Sequence, residues 1–418
     1  MMSCIGAPSD PGHPTAARAP RAGGAVPLLA GIVLVAVNLR FAITSVSPVV
    51  DDVRGDLGLS SATMGLLTTT PLLALGLVAP LGPSLGRRLG SERVVLGCLV
   101  AIAAGVALRW AGTTAPLFAG TVVAGCGIAI GNVLVPEIVK HRLGRRAPAV
   151  MGIYAGGLSG GAALATGLTV PIEHAAGGSW RVALAAWSIP ALLAALAWAP
   201  QIGDGRRGER IAERHRVTLW RDRLAWRVTL LMGLQSLVFY IGVAWLPDIF
   251  QAHGISSGTA GLLAGVGQVV GIPAGLLTSL LASRRADQRA MLLLASLTAA
   301  AGFAGVLIAP AALAGLWVTL LGLGQGGLFA LALTLVVLRS PDREHAAELS
   351  SMTQSVGYTL AAVGPLLIGA LHDLSGGWAL PLCVTIALVV PEIVVGLEAA
   401  RPGLVGGPGP GGPRPQPR

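Results

Sequence analysis

Within the first long apolar run of the chain, the stretch VAVNLRFAITSVSP (35–48) sets Asn38 and Arg40 among residues suited to lipid. The Arg40 guanidinium stays charged at any physiological pH, and its planar fork of donors can grip a carboxylate or a linear anion at several points. About fifteen residues separate it from the start of the run, so at 1.5 Å per residue it lies some 22 Å in, deeper than a side chain easily snorkels. A charge at that depth costs about 2.5–3.5 kcal/mol on insertion scales. It is kept either to bind something or to pair with helix carbonyls or an acid that holds helices together. No acid within an apolar run is an evident partner. Glu137 stands near the end of the fourth run, with Lys140 one helical turn on, and Asp248 near the end of the seventh. An unpaired cation invites an anion.

The elements that carry these residues follow from composition. The chain has 418 residues, 53% hydrophobic and 11% charged, against about 25% charged in a soluble domain. It reads as an integral, all-α membrane protein. Apolar runs long enough to cross about 30 Å of hydrocarbon recur at roughly 25–50, 62–82, 94–112, 116–139, 149–172, 181–200, 228–250, 260–282, 290–309, 312–338, 350–371 and 379–398. These are twelve expected membrane helices.

A formal charge of +10 would suit a nucleic-acid binder, but the basic residues are sorted by loop rather than gathered on one module. With the N-terminus in the cytoplasm, cytoplasmic segments hold 25 of the 29 Lys and Arg; Arg54, Arg109 and Arg181 fall on the other side and Arg40 inside a run. This split predicts that both termini are cytoplasmic. The Arg-rich, Ala- and Gly-rich composition, with Lys140 the single Lys, points to a bacterial plasma membrane. Three of the four Cys lie inside runs without metal-ligand spacing, so neither structural disulfides nor a metal site is expected. Residues 1–24 and 401–418 are Pro/Gly-rich and are expected to be disordered tails.

Between the sixth and seventh runs lies an Arg-rich polar stretch, 201–227, read as a cytoplasmic linker between bundles at 25–200 and 228–400. The halves echo each other. GLSSATMGLL (58–67) returns as GISSGTAGLL (254–263), with seven of ten positions identical, and HAAGGSW (174–180) returns as HDLSGGW (372–378). The two offsets, 196 and 198 residues, agree, which argues for duplication of a six-helix unit. An even number of spans per unit makes the repeats parallel, related by an axis along the membrane normal, with a site at the midplane between them.

The segments NLRFAITSVSPVVDDVRGDLGLSSATMGLLTTTPLLALGLVAPLG, GIAIGNVLVPEIVKHR, LQSLVFYIGVAWLPDIF, GLGQGGLFALALTLVVLR and QSVGYTLAAVGPLLIGALHDLSGGW resemble the cyanate permease and 2-nitroimidazole transporter family of the major facilitator superfamily, from about 25 to 400. Asn38, Leu39 and Arg40 match a motif of that family. The resemblance implies the major facilitator fold, in which two bundles rock about a central site. Many superfamily members carry an Asp in the loop after the second helix that latches the halves; here the loop reads LGPSLGRRLGSER, keeping Arg87, Arg88 and Gly90 but lacking the Asp. Glu92 is the acid expected to replace it.

In that architecture the cavity-facing helices would supply Asn38 and Thr44, Asn132, Gln235 and Tyr240, and Gln325 around Arg40, with Tyr154, Gln354 and Tyr358 completing the walls. Phe239 and Trp245 would add an aromatic face; each polar group alone is more often an interhelical hydrogen-bonding residue than a ligand, and their value is collective. Glu137 is the carboxylate that motivates protons as a coupling ion; Glu392 falls on a helix expected to face lipid. GLGQGG lacks the Lys-Ser/Thr ending and preceding strand of a phosphate loop, so transport would draw on a gradient. No cofactor is implied, and a monomer suffices. Arg40 favours a small anion such as cyanate; the aromatic neighbours suit export of a nitroimidazole-like ring. An intramembrane enzyme would need a reactive constellation that the runs do not contain. A transporter-like sensor would need a signalling domain for which the loops leave little room.

Overall fold

A computed structural model describes residues 25–143, 147–202 and 219–406. The tails 1–24 and 407–418, and residues 203–218 of the expected linker, lie outside the described residues. Among the described residues twelve helical spans cross the molecule: span 1 (Pro27–Leu57), 2 (Ser61–Leu89), 3 (Ser91–Ala111), 4 (Thr114–Val139), 5 (Ile153–Ala175), 6 (Trp180–Gln201), 7 (Arg223–Ala252), 8 (Ser257–Ser283), 9 (Arg289–Ile308), 10 (Ala314–Leu338), 11 (His345–Ser375) and 12 (Ala379–Ala399). No strand occurs among the described residues.

The two sequence echoes are turns. Gly58 and Gly254 adopt left-handed backbone (φ 63° and 84°), a conformation glycine takes without steric cost, and each ends a helix. Two residues on, Ser60 and Ser256 turn extended and accept the N–H of Thr63 and Thr259, starting spans 2 and 8. One short motif thus stops one span and starts the next, once in each half.

Packing repeats as the sequence does. Span 2 packs on 4, span 3 on 4 and 6, and span 1 on 5 and 6; adding six to each number gives the second half, where 8 packs on 10, 9 on 10 and 12, and 7 on 11 and 12. A polar anchor repeats too. Arg142, just past span 4 on the same helix, pairs with Glu92 at 2.8 Å and donates to the carbonyl of Gln201. In the second half, 197 residues on, buried Arg339 donates to Gln288 Oε1 and to the carbonyls of Ala399 and Ala400. Glu92 is therefore bound inside its own bundle and does not latch the halves in this conformation. Beside Gln288, outside the spans, the Arg289 guanidinium holds the Asp287 carboxyl down to about 2.

The halves meet through spans 2 and 11 and through spans 5 and 8. Contact is tight at the face bearing the 1–2 and 7–8 turns. There Asp373 of span 11 accepts from the backbone N–H of Ser61 and Ala62 (3.0 and 2.7 Å), capping span 2 from the other half. Arg54 lies 3.8 Å from Asp248, and Thr69 donates to the carbonyl of Ala362 at 2.7 Å. Gly65 permits this approach: a Cβ there would stand 2.6 Å from the Pro365 carbonyl oxygen. The face carrying Arg87, Arg88, Arg142 and Arg285, called here the basic face, is where the molecule opens.

Loss of the Asp373 cap removes about 1.4 kcal/mol of closing contact, within the usual range for an N-cap. Asp373→Ala is expected to raise about tenfold the rate at which an impermeant thiol reagent, added at the closed face, labels Ser47→Cys, whose position is buried between the halves. An unchanged rate would show that this cap does not hold the face shut.

Candidate functional site

Span 1 is not one helix. The helix that begins it, Ala25–Thr44, breaks at Ser45 and Val46, and the span resumes with a short turn at Ser47–Val49 and a helix from Val50. Pro48, which has no N–H to donate, accounts for the interruption. Fully buried Arg109 donates to the carbonyl of Ala42 at 3.0 Å, placing a cation at the C-terminal end of the first segment, where carbonyls lack helical partners. Arg40 lies in that last turn, half-buried.

Arg40 Nη1 donates to the Tyr240 hydroxyl at 2.8 Å. Tyr240 belongs to span 7, so this bond joins the two halves. Among the described residues it is the one hydrogen bond of the Arg40 side chain, and no carboxylate accompanies it. The chain contains three tyrosines, and all three gather here: Tyr154 and Tyr358 lie within electrostatic reach of the guanidinium. The Tyr154 hydroxyl donates to Asn132 Oδ1 at 3.1 Å, and the Tyr358 ring meets Tyr240 edge-on at 6.3 Å. Neutral phenols solvate the charge without cancelling it.

From this point a cavity of about 740 Å³ runs between the halves towards the basic face. Arg40 and Thr44 of span 1 lie at its inner part, and Ser283 and Leu338, at the ends of spans 8 and 10, mark its mouth. Span 5 contributes Ser159; Phe239, Phe303 and Phe329 add rings. Of the expected residues, Arg40, Thr44, Tyr240, Gln325 and Tyr358 line the cavity, as does Phe239.

Others point elsewhere. Asn38 is buried against span 6, donating to the carbonyls of Leu34 and Pro190, and does not line the cavity. Gln235 is buried and donates to Ser236 Oγ and the Met232 carbonyl. Asn132 donates to the Ile128 carbonyl and reaches Arg40's surroundings only through Tyr154. Gln354 bonds Ser350, and Trp245 packs on Trp378 while donating to the Pro365 carbonyl. Glu137 is half-buried with no hydrogen bond or ion pair among the described residues; the Lys140 side chain lies outside them. Glu392 corrects an expectation. It does not face lipid but is fully buried, accepting from Ser296 of span 9 at 2.8 Å.

Gln268 of span 8 also lines the cavity and was not anticipated. A signal for it exists, since GVGQ (265–268) repeats the G-x-G-Q pattern of GLGQ (322–325).

Among the described residues, twelve helices long and apolar enough to cross a membrane, in two matching bundles with a largely apolar cavity between them that opens at one face, define a transporter of small solutes. The chain belongs to the Major Facilitator Superfamily, whose pattern it matches over residues 32–365. It is 39% identical to the 2-nitroimidazole transporter of Escherichia coli (strain K12), over 90% of this chain and 95% of that one. It is 30% identical to the cyanate transport protein CynX of the same organism, over 89% and 97%. Among solved structures, a point mutant of the nucleoside transporter NupG superposes with a TM-score of 0.75 over 89% of this chain and 99% of that one, at 11% identity. These relatives are transporters, and the chain is not an enzyme.

Removing the Tyr240 hydroxyl deprives Arg40 of its partner, and hydrogen bonds to charged groups contribute about 1.5–3 kcal/mol. Tyr240→Phe should therefore lower the melting temperature of the unliganded protein. An unchanged melting temperature would contradict this assignment.

Proposed function

We propose that the protein is a secondary active transporter that carries a small anion across a bacterial plasma membrane by alternating access, with Arg40 as the group that holds its charge. One observation carries the reading: a guanidinium within a membrane span, facing a solute-sized cavity, with a phenol as its hydrogen-bond partner and no counter-charge among the described residues. A bound anion supplies the missing charge and takes over donors now directed at Tyr240. That exchange loosens the link between spans 1 and 7, so the loaded and unloaded protein differ in how firmly the halves are joined.

The rocking units are residues 25–200 and 228–400, joined by 201–227. The positive-inside rule assigns the basic face, and both termini, to the cytoplasm, so the cavity described above faces inward. A monomer contains every element of this mechanism. Glu137, a carboxylate without a partner among the described residues, is the group we assign to proton coupling. The relatives named for cyanate and for 2-nitroimidazole bracket the cargo. Arg40 favours an anion; the rings of Phe239, Tyr240 and Tyr358 support the second reading, a neutral nitroheterocycle moved outward.

A ligand that binds the folded state raises its melting temperature by mass action. Small anions, cyanate and benzoate among them, should stabilise the purified protein, and Arg40→Gln should abolish the effect while Arg40→Lys keeps part of it. Stabilisation by nitroheterocycles alone, equal in wild type and Arg40→Gln, would favour the second reading. In proteoliposomes Glu137→Gln should flatten the pH dependence of uptake; full retention of that dependence would remove Glu137 from the coupling role.

A further inference from the structure

Spans 8 and 10 touch along a seam of glycines. A Cβ at Gly322 would stand 2.3 Å from the Gly267 carbonyl oxygen, and one at Gly326 equally close to that of Gly271. Backbones this close leave no room for side chains in the seam itself. The residues beside it, Gln268 and Gln325, line the cavity instead. The 267/322 and 271/326 register makes the two spans run parallel and sets these amides within about 3 Å of the same height, two residues of helical rise apart.

Neither amide is used by the protein. Gln325 is 6% exposed, and both its Oε1 and its Nε2 are shielded and without a hydrogen-bond partner among the described residues. Gln268, half-buried, has no hydrogen bond there either. A shielded carboxamide that bonds nothing is costly, because its desolvation is not offset. A sequence that twice places Gln in the same G-x-G-Q setting, where Leu would pack without that cost, indicates that the amides meet something brought into the cavity.

We propose that Gln325 and Gln268 form a second recognition pole in the second bundle, so that the preferred cargo is a planar aromatic monoanion bearing a hydrogen-bonding group, such as a hydroxyl or carboxamide, opposite its anionic end. The inference rests on Arg40 holding the anionic end. A small linear anion at Arg40 would leave both amides unmatched in a cavity of about 740 Å³. An aromatic acid presents its ring to Phe239 and Tyr358, which flank Tyr240 edge-on, and its far substituent to the amide pair. A hydroxyl there both donates and accepts, as the two carboxamides do. Because one pole lies on each bundle, such a ligand would span the halves.

Benzoate and 4-hydroxybenzoate test this by direct titration of the purified full-length protein, wild type and variants. Wild type should bind 4-hydroxybenzoate roughly tenfold tighter than benzoate, the scale of one or two hydrogen bonds. Gln325→Leu should erase that ratio by weakening 4-hydroxybenzoate alone, and should leave the melting temperature of the unliganded protein unchanged or higher, since no protein partner is lost. Gln268→Leu should reduce the ratio in part. Equal affinity of wild type for the two acids, no binding of either, or a ratio that survives in Gln325→Leu and Gln268→Leu together would overturn the proposal. So would a large fall in the unliganded melting temperature of Gln325→Leu, which would make the amide structural. Arg40→Gln separates the two readings: loss of both acids with the ratio intact in Gln325→Leu removes the second pole and keeps the first, whereas undiminished binding of both acids by Arg40→Gln removes the anion reading itself.

Discussion

A charge that cannot be neutralised, placed inside a membrane protein, constrains everything around it. The Arg40 guanidinium is retained where hydrocarbon would surround an ordinary helix, and the protein answers with a phenol, two further phenols in electrostatic reach, and an open cavity. Its backbone is set by the break in span 1 and by buried Arg109, which braces the end of the first segment at the Ala42 carbonyl. A second cation thus positions the first without approaching the cavity. The bond from Arg40 to Tyr240 makes this residue a joint between the bundles, and in the proposed function the same residue is the binding group.

The rest of the fold permits that joint to matter. Spans 2 with 11 and 5 with 8 form two equivalent seams between the halves, and helix caps, an ion pair and close glycine contacts shut one end of them. The closed face depends on polar contacts that bridge the bundles, such as Asp373 on the start of span 2. Within each bundle, by contrast, the Arg142 and Arg339 anchors tie spans to one another and leave the opposite half free. Firm bundles and a separable interface are what rocking motion requires.

Much of this could be read from residues alone. The span pattern, the duplication and the outlying Arg40 depend on length, on repeated turn chemistry and on the cost of a charge in lipid, each of which leaves a mark in one dimension. The direction of a side chain on an apolar helix leaves none, because lipid and protein interior select the same residues. Asn38 sits two positions from Arg40 yet turns to Pro190 of span 6. Gln235, Asn132 and Trp245 were equally ambiguous and do not line the cavity themselves. Glu392 was assigned to a lipid-facing helix by position; the helix buries that face against spans 7 and 9, where Ser296 meets the carboxyl. Gln268 had a legible counterpart in Gln325, but only the glycine seam explains why two identical tetrapeptide patterns share a wall.

The most direct test of the central claim is an experimental structure with an iodine-labelled aromatic acid, 4-iodobenzoate, located by the anomalous signal of its iodine. The account predicts the carboxylate within hydrogen-bonding distance of the Arg40 guanidinium, the Tyr240 hydroxyl displaced from it, and the iodine towards spans 8 and 10. A carboxylate bound elsewhere in the cavity, with the Arg40 to Tyr240 bond intact, would contradict it and leave Arg40 as a structural tie between the two halves.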